Sequence, residues 1–132
     1  MQSYKDLEIY KLSHQAALDI HMMTLKLPPL ETYEEGSQIR RSSKSVSANI
    51  VEGFEKNNNN EFIRYLKIAK GSVGEVRNQI YIAFTVKQIT QEEFNFINEL
   101  LIALSKKIGA LIIYLEDERK HGNFKPVNPL TR

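Results

Sequence analysis

The chain has 132 residues, the length of one domain, and no cysteine, which excludes disulfides, cysteine-ligated metal centres and thiol catalysis. Its formal net charge of +2 does not by itself predict a nucleic-acid partner. The first ten residues lack the basic flank and apolar run of a secretory signal, and the longest apolar run, 108–115, is far shorter than the roughly 20 residues that span a bilayer. We therefore expect a cytoplasmic protein.

Apolar residues spaced by three or four predict a first helix over residues 6–27, which ends at two prolines because proline cannot continue a helix. A second helix is predicted over residues 32–56. It ends before four consecutive asparagines, whose side chains compete for backbone hydrogen bonds and favour caps and turns.

Two further apolar seams predict helices over residues 60–87 and 91–118, separated by a capping box in which Thr90 and Glu93 cap each other's amides. Four amphipathic segments with short connections predict an all-α fold, an antiparallel up-and-down four-helix bundle over residues 1–118. Residues 119–132 contain glycine and two prolines without periodicity, which predicts a flexible or strap-like tail.

The fourth predicted helix carries a second apolar row beside its seam. This row consists of Phe96, Leu100, Ala103, Ala110 and Tyr114. One apolar stripe per helix is enough for a monomeric bundle, so a second one indicates self-association into a homo-oligomer. A wide stripe that packs within one chain is the alternative.

The second predicted helix carries a heptad row of polar and small residues where leucine would be usual. The row is Gln38, Ser42, Ser45, Asn49 and Glu52, and Gly53 follows it. The third helix has small residues of its own at Gly71, Ser72 and Gly74, although two interior glycines reduce helix propensity by up to about 1 kcal/mol each. We interpret both sets as a close helix crossing that fixes register, with a solvated polar flank as the alternative.

Basic residues gather on the second and third helices. They are Arg40, Arg41, Lys44, Arg64, Lys67, Lys70 and Arg77. Such a stripe can contact phosphates with an affinity that falls steeply with salt, although a solvated charged face is the ordinary explanation. These seven residues are the candidate nucleic-acid contacts.

No catalytic constellation is present in the sequence. The stretch GSVG lies in a periodic helix and lacks the lysine and hydroxyl residue of a phosphate-binding loop. His14 and His21 are two helical turns apart, roughly 10 Å, which is too far to share a metal ion without a third element. We therefore expect no enzyme activity, no metal and no cofactor.

Three stretches of the chain resemble the 23S rRNA-intervening-sequence protein family of four-helix bundle proteins. They are YKDLEIYKLSHQA, LPPLETYEEGSQIRRSSKSVSANIVEG and NEFIRYLKIAKGSVGEV, and the resemblance covers about residues 4–89. The chain departs from the family pattern at three places. Tyr10 stands where tryptophan is frequent, Glu34 where an apolar residue is usual, and Ser42 where alanine is common.

The resemblance implies a small bundle that assembles into a barrel-like homopentamer. It also implies a link to nucleic acid, because a relative is the accessory protein of diversity-generating retroelements and engages nucleic acid and a reverse transcriptase. The leading hypothesis is a non-enzymatic homo-oligomer that binds RNA or DNA as an accessory to a nucleic-acid-processing protein. The competing hypothesis is a protein–protein interaction or structural module without nucleic-acid affinity.

Overall fold

Four long helices make up the fold of the chain. The computed structural model describes residues 3–122, and within that range it contains α1 (Glu8–Leu25), α2 (Ser37–Glu55), α3 (Asn59–Thr85) and α4 (Gln91–Lys120), with no strand. A short 3₁₀ turn, Tyr4–Asp6, precedes α1. The prediction of an all-α fold with four helices is confirmed.

Helical structure ahead of α2 begins before residue 32, where the sequence predicted the second helix to start. A helical turn, Pro29–Glu31, leads into a π-helical segment, Thr32–Gly36, and that segment continues into α2. Proline is compatible with the first turn of a helix, since the amide that it lacks would have no partner there. At the other end of the chain α4 extends to Lys120, so only residues beyond it can form the predicted tail, and 123–132 lie outside the described residues.

Each long helix packs against the helix before and after it, and α1 also packs against α4. The connections at residues 26–28, 56–58 and 86–90 are so short that consecutive helices run antiparallel, as in an up-and-down bundle. The predicted seams form the core. Its fully buried side chains include Ile20, Ile50, Leu66, Val73, Val76, Ile80, Leu101, Leu104, Ile108 and Leu115.

Side-chain caps and left-handed residues set the ends of the helices. The predicted capping box is confirmed: the Glu93 amide donates to the Thr90 hydroxyl at 3.1 Å, and the Thr90 amide donates to the Glu93 carboxylate at 2.9 Å. Asn57 and Lys87 have φ of 57° and 66°, just beyond the ends of α2 and α3. A left-handed residue at this position satisfies the last carbonyls of a helix, which stops it and turns the chain.

The serine row of α2 lies on the face that packs against α3, and this is the most extensive helix contact within residues 3–122. The Ser42 hydroxyl donates to the Glu75 carboxylate at 2.6 Å, and the hydroxyls of Ser45 and Ser72 are 3.2 Å apart. The Asn49 amide group donates back to the carbonyl of Ser45. The first two contacts join α2 to α3 within one chain and the third lies within α2, so Ser42, Ser45 and Asn49 have polar partners without a second copy.

The row ends at a glycine that the crossing requires. A Cβ on Gly53 would lie 2.7 Å from the Cβ of Tyr65 and 3.1 Å from the ring of Phe62. The Tyr65 hydroxyl donates to the Glu52 carboxylate at 3.4 Å, while Gln38 at the other end of the row is exposed. Small side chains therefore let the two backbones approach at this end of the helix pair.

The expectation that Gly71 and Gly74 also serve a close crossing is wrong. A Cβ built on either residue meets no atom within 4 Å. Both residues lie on the outside of α3, whereas Ser72 between them faces α2. Intramolecular packing gives no reason for these two glycines.

Candidate nucleic-acid interface

Arg40 is half-buried, and its guanidinium is bound by groups of the fold. One terminal nitrogen of its guanidinium donates to the Thr24 hydroxyl at 2.8 Å, and the other donates to the Thr32 carbonyl at 3.0 Å. Gly36 leaves the space that this side chain occupies, since a Cβ there would lie 3.0 Å from the guanidinium. Arg40 thus ties the start of α2 to the end of α1, and it belongs to the framework of the bundle.

Arg41 and Lys44 lie one turn apart on the outer surface of α2, where both residues are exposed. Neither side chain forms an ion pair with another residue in the range 3–122. Their charged groups are therefore available to a phosphate, which is the arrangement expected for an electrostatic contact.

Arg64 and Lys67, near the start of α3, already have acidic partners. The Arg64 side chain donates to the Glu61 carboxylate at 2.9 Å and lies 4.4 Å from the centre of the Tyr65 ring, and Lys67 lies 3.4 Å from Glu116 of α4. The hydrogen bond to Glu61 raises the pKa of Arg64 and lowers the pKa of the carboxyl. A phosphate would have to compete with these carboxylates.

Lys70 and Arg77 lie where α3 meets α4. The stem of Lys70 passes over Gly109, since a Cβ on that glycine would be 3.3 Å from the Lys70 Cε. The Arg77 Nε donates to the Asn98 amide oxygen at 3.1 Å. Lys70 has no ion pair with any described residue, and the Arg77 bond uses a neutral partner, so both positive charges remain unneutralised.

A groove of about 340 Å³ opens between α3 and α4 beside Arg77. Its walls are formed by Gly74, Arg77, Asn78, Tyr81, Phe94 and Asn98. Of these, only Gly74 and Arg77 stand out in the sequence. The other four were missed, although Asn78 and Tyr81 follow Gly74 at helical spacings of four and seven residues and so share its face.

The second apolar row on α4 is divided between burial and exposure. Leu100 and Tyr114 pack partly against the core, and Ala103 is half-buried. Ala110 is exposed, and Phe96 exposes 63% of its surface. Packing within one chain therefore accounts for part of this row and leaves Phe96 uncovered.

Exposed apolar side chains gather in the half of the bundle that contains Phe96. That half holds the C-terminal parts of α1 and α3 and the N-terminal parts of α2 and α4, because consecutive helices are antiparallel. The exposed side chains there are Leu18, Met22, Leu25, Leu30, Tyr33, Tyr81, Ile82, Val86 and Phe96. Of these, Met22 of α1 lines one groove together with Phe96 of α4, and exposed apolar side chains that lie side by side are typical of an interface.

A second groove, of about 350 Å³, lies between α1 and α4 in the same half. Met22, Met23, Phe96 and Ile97 give it an apolar floor, and Asp19, Glu92, Glu93 and Lys26 surround it. Three carboxylates and one ammonium make this groove negative, so it is unsuited to phosphates. Among residues 3–122 no helix is long and apolar enough to cross a membrane, and no three metal-ligating side chains come together.

The comparisons agree with the fold described above. A crystal structure of a protein of unknown function from the S23 ribosomal protein family of Bacteroides thetaiotaomicron matches with a TM-score of 0.70 at 23% identity, over 79% of this chain and 94% of that chain. No curated protein matches the chain. The family model of the 23S rRNA-intervening sequence protein matches residues 5–110. The chain therefore belongs to the 23S rRNA-intervening sequence protein family.

Proposed function

We propose that the chain is a non-enzymatic, homo-oligomeric bundle protein that binds RNA or DNA through its basic surface, as an accessory to a nucleic-acid-processing protein. The observation that carries this proposal is the exposure of Arg41, Lys44 and Lys70, none of which has an acidic partner among residues 3–122. Unpaired surface cations supply the part of nucleic-acid affinity that does not depend on sequence. Repetition of the surface around an oligomer multiplies the number of phosphate contacts.

The test is the salt dependence of binding to a labelled single-stranded RNA. The variant Arg41→Ala/Lys44→Ala/Lys70→Ala is expected to bind more weakly and to reduce the slope of log K against log salt, by roughly 0.7 for each lost contact to a single strand. Arg40 is left in place because it holds the fold together. Unchanged affinity and slope in the triple variant would remove these residues from the interface.

A matched control removes the same charge from other exposed positions. Lys11 on α1, Lys26 at the end of α1 and Lys106 on α4 are exposed and form no ion pair within residues 3–122. The variant Lys11→Ala/Lys26→Ala/Lys106→Ala changes net charge equally. It should retain most of the affinity if the contact surface is on α2 and α3.

Self-association is the second element of the proposal, and the homopentamer that the family resemblance implies is its specific form. Phe96, with 63% of its surface exposed, lines the same groove as the exposed Met22, so these two side chains form an uncovered apolar pair. Light scattering is expected to give a multiple of the 15.3 kDa chain mass. The variant Phe96→Glu should lower that mass, whereas Ile113→Glu, at an equally exposed position of α4, should not.

A protein-interaction module without nucleic-acid affinity is the second candidate, and the negative groove between α1 and α4 favours it. Its apolar floor and three carboxylates fit a basic segment of a protein partner better than a phosphate backbone. In that case the protein does not slow the migration of RNA or DNA in a gel at any salt concentration. A partner recovered with the protein also remains bound after nuclease treatment.

A further inference from the structure

The groove between α3 and α4 has the composition of a site for one unpaired nucleotide. We infer that it binds a base and its phosphate from single-stranded nucleic acid, with Tyr81 as the stacking surface and Arg77 as the phosphate contact. This inference rests on the proposed function and assigns it a site. Three features of the groove carry it: a missing side chain, a positioned aromatic ring and a positioned guanidinium.

The missing side chain is that of Gly74, which lines the groove from the middle of α3. Glycine in a helix interior is unfavourable by up to about 1 kcal/mol relative to alanine. Apart from its two chain neighbours and the local backbone of α3, no atom of the described chain lies within 4 Å of the position that its Cβ would take. Since nothing in the fold excludes a side chain there, the space that Gly74 leaves is available to a molecule outside the fold.

The ring of Tyr81 lies seven residues, or two turns, beyond Gly74 on the same face of α3 and is 56% exposed. An aromatic cluster holds it in place, because its centre is 6.0 Å from that of Phe94, and Phe94 in turn stacks on Phe84 at 5.0 Å. A fixed, exposed ring at the edge of a groove is the platform on which unpaired bases stack.

Arg77 lies between Gly74 and Tyr81 on α3, and its guanidinium reaches Asn98 of α4. Its Nε donates to Asn98, which orients the side chain and leaves the terminal nitrogens without another described partner. Asn78 and Asn98 add amide groups to the same walls. A cation for a phosphate, an aromatic face for a base and amides for its edge therefore meet in one groove.

The volume and the chemistry of the groove select the kind of nucleic acid. About 340 Å³ is at the small end of ligand pockets, which hold roughly 300–1,000 Å³. It is open enough to admit one unstacked base, whereas the bases of a duplex are paired and cannot stack on a protein ring. Single-stranded RNA or DNA is therefore the expected ligand, and a duplex of equal length should bind more weakly.

The experiment compares two glycines of the same helix. Gly74→Leu fills the groove, and Gly71→Leu places the same side chain one turn earlier, outside the groove walls. Both substitutions raise helix propensity, so both variants should melt no lower than the wild type. The measured quantity is the affinity for a fluorescent single-stranded oligonucleotide, with a duplex of the same sequence as a parallel probe.

Gly74→Leu should weaken single-strand binding at least about fivefold, which corresponds to the lower limit for one stacked base, and Gly71→Leu should leave it unchanged. Tyr81→Leu should give the same loss, and Tyr81→Phe should retain binding because the ring remains. The wild type should bind the single strand more tightly than the duplex, and this difference in affinity should be smaller in Gly74→Leu and Tyr81→Leu.

Two results overturn the inference in distinguishable ways. If the wild type binds the single strand and both Gly74→Leu and Tyr81→Leu bind it equally well, the groove is not the site, although the proposed function stands. If the wild type binds neither probe at low salt, the proposed function is wrong and the groove site falls with it. A melting scan on each variant establishes that a loss of binding comes from a folded protein.

Discussion

Gly53 of α2 and Tyr65 of α3 are so close that a Cβ on the glycine would lie 2.7 Å from the Cβ of the tyrosine. The neighbouring atom is part of a side-chain stem fixed to the backbone, so it cannot move aside as the end of a flexible chain could. Alanine at Gly53 would therefore push the two helices apart at the end of their crossing.

The first prediction contrasts this glycine with Gly71. Gly53→Ala gains helix propensity but overpacks the crossing, and we expect a net loss of about 1–2 kcal/mol in the free energy of unfolding. Gly71→Ala meets open space and should increase stability by about 0.5–1 kcal/mol. Urea unfolding measures both, and a stabilised Gly53→Ala protein would contradict the close crossing.

The second prediction separates two adjacent arginines. Arg40→Ala leaves the buried Thr24 hydroxyl and the Thr32 carbonyl without their donor, so stability should fall by about 1–3 kcal/mol. Arg41→Ala removes an exposed side chain with no described partner and should change stability by less than about 0.5 kcal/mol. Equal losses in thermal or urea unfolding would show that Arg40 is not a structural tie.

Periodicity was sufficient to predict the core, because buried residues of α3 such as Leu66, Ala69 and Val73 recur every three or four positions. The role of Arg40 could not be predicted in this way. Its partners Thr24 and Thr32 are 16 and 8 residues distant, and they reach it only because the chain turns between α1 and the π-helical segment.

The small residues of α2 pack against a neighbouring helix, whereas Gly71 and Gly74 of α3 do not. A row of serines in α2 indicates a close neighbour, and the contact between Ser45 and Ser72 supplies one. At Gly71 and Gly74 the sequence shows that a side chain is missing, but it does not show what surrounds the position. In the fold the space beside both glycines is open. One wall of the groove beside Arg77 is formed by α4. Asn98 is 21 residues from Arg77 in the sequence, so no local pattern could predict their contact.

The third prediction concerns the link between Ser42 and Glu75. A hydrogen bond to a carboxylate contributes more than a neutral one, and this bond joins α2 to α3. Ser42→Ala should reduce stability by about 0.5–1.5 kcal/mol, since the exposed carboxylate remains hydrated. Combining it with Glu75→Gln should give less than the sum of the single losses. Ser47→Ala, which removes a bond within α2 only, is the control. If the stability losses of Ser42→Ala and Glu75→Gln simply add in the double variant, the hydrogen bond between these residues makes no contribution.

The fourth prediction follows from the lowered pKa of Glu61, which the hydrogen bond from Arg64 causes. A carboxyl whose pKa is lower in the folded state stabilises the protein above its unfolded pKa, near 4.5, and loses that contribution as pH falls through the folded pKa. Wild type should therefore exceed Glu61→Gln in stability at pH 7, and the difference should disappear at strongly acid pH. A difference that is independent of pH would exclude this ion pair as its cause.

The fifth prediction concerns Lys87, which adopts a left-handed backbone with φ of 66° where α3 ends. Its amide donates to the Phe84 carbonyl, and the next amide, of Gln88, donates to the Ala83 carbonyl at 2.8 Å, so the conformation is required to stop the helix. A Cβ in this conformation costs roughly 1–2 kcal/mol, and glycine has none. Lys87→Gly should therefore raise the free energy of unfolding by about 1 kcal/mol, after allowing for the greater freedom of glycine in the unfolded chain. Lys87→Ala removes the same charge and retains the Cβ, so it should give no gain. Equal stability of the glycine and alanine variants in urea unfolding would show that the left-handed turn carries no strain.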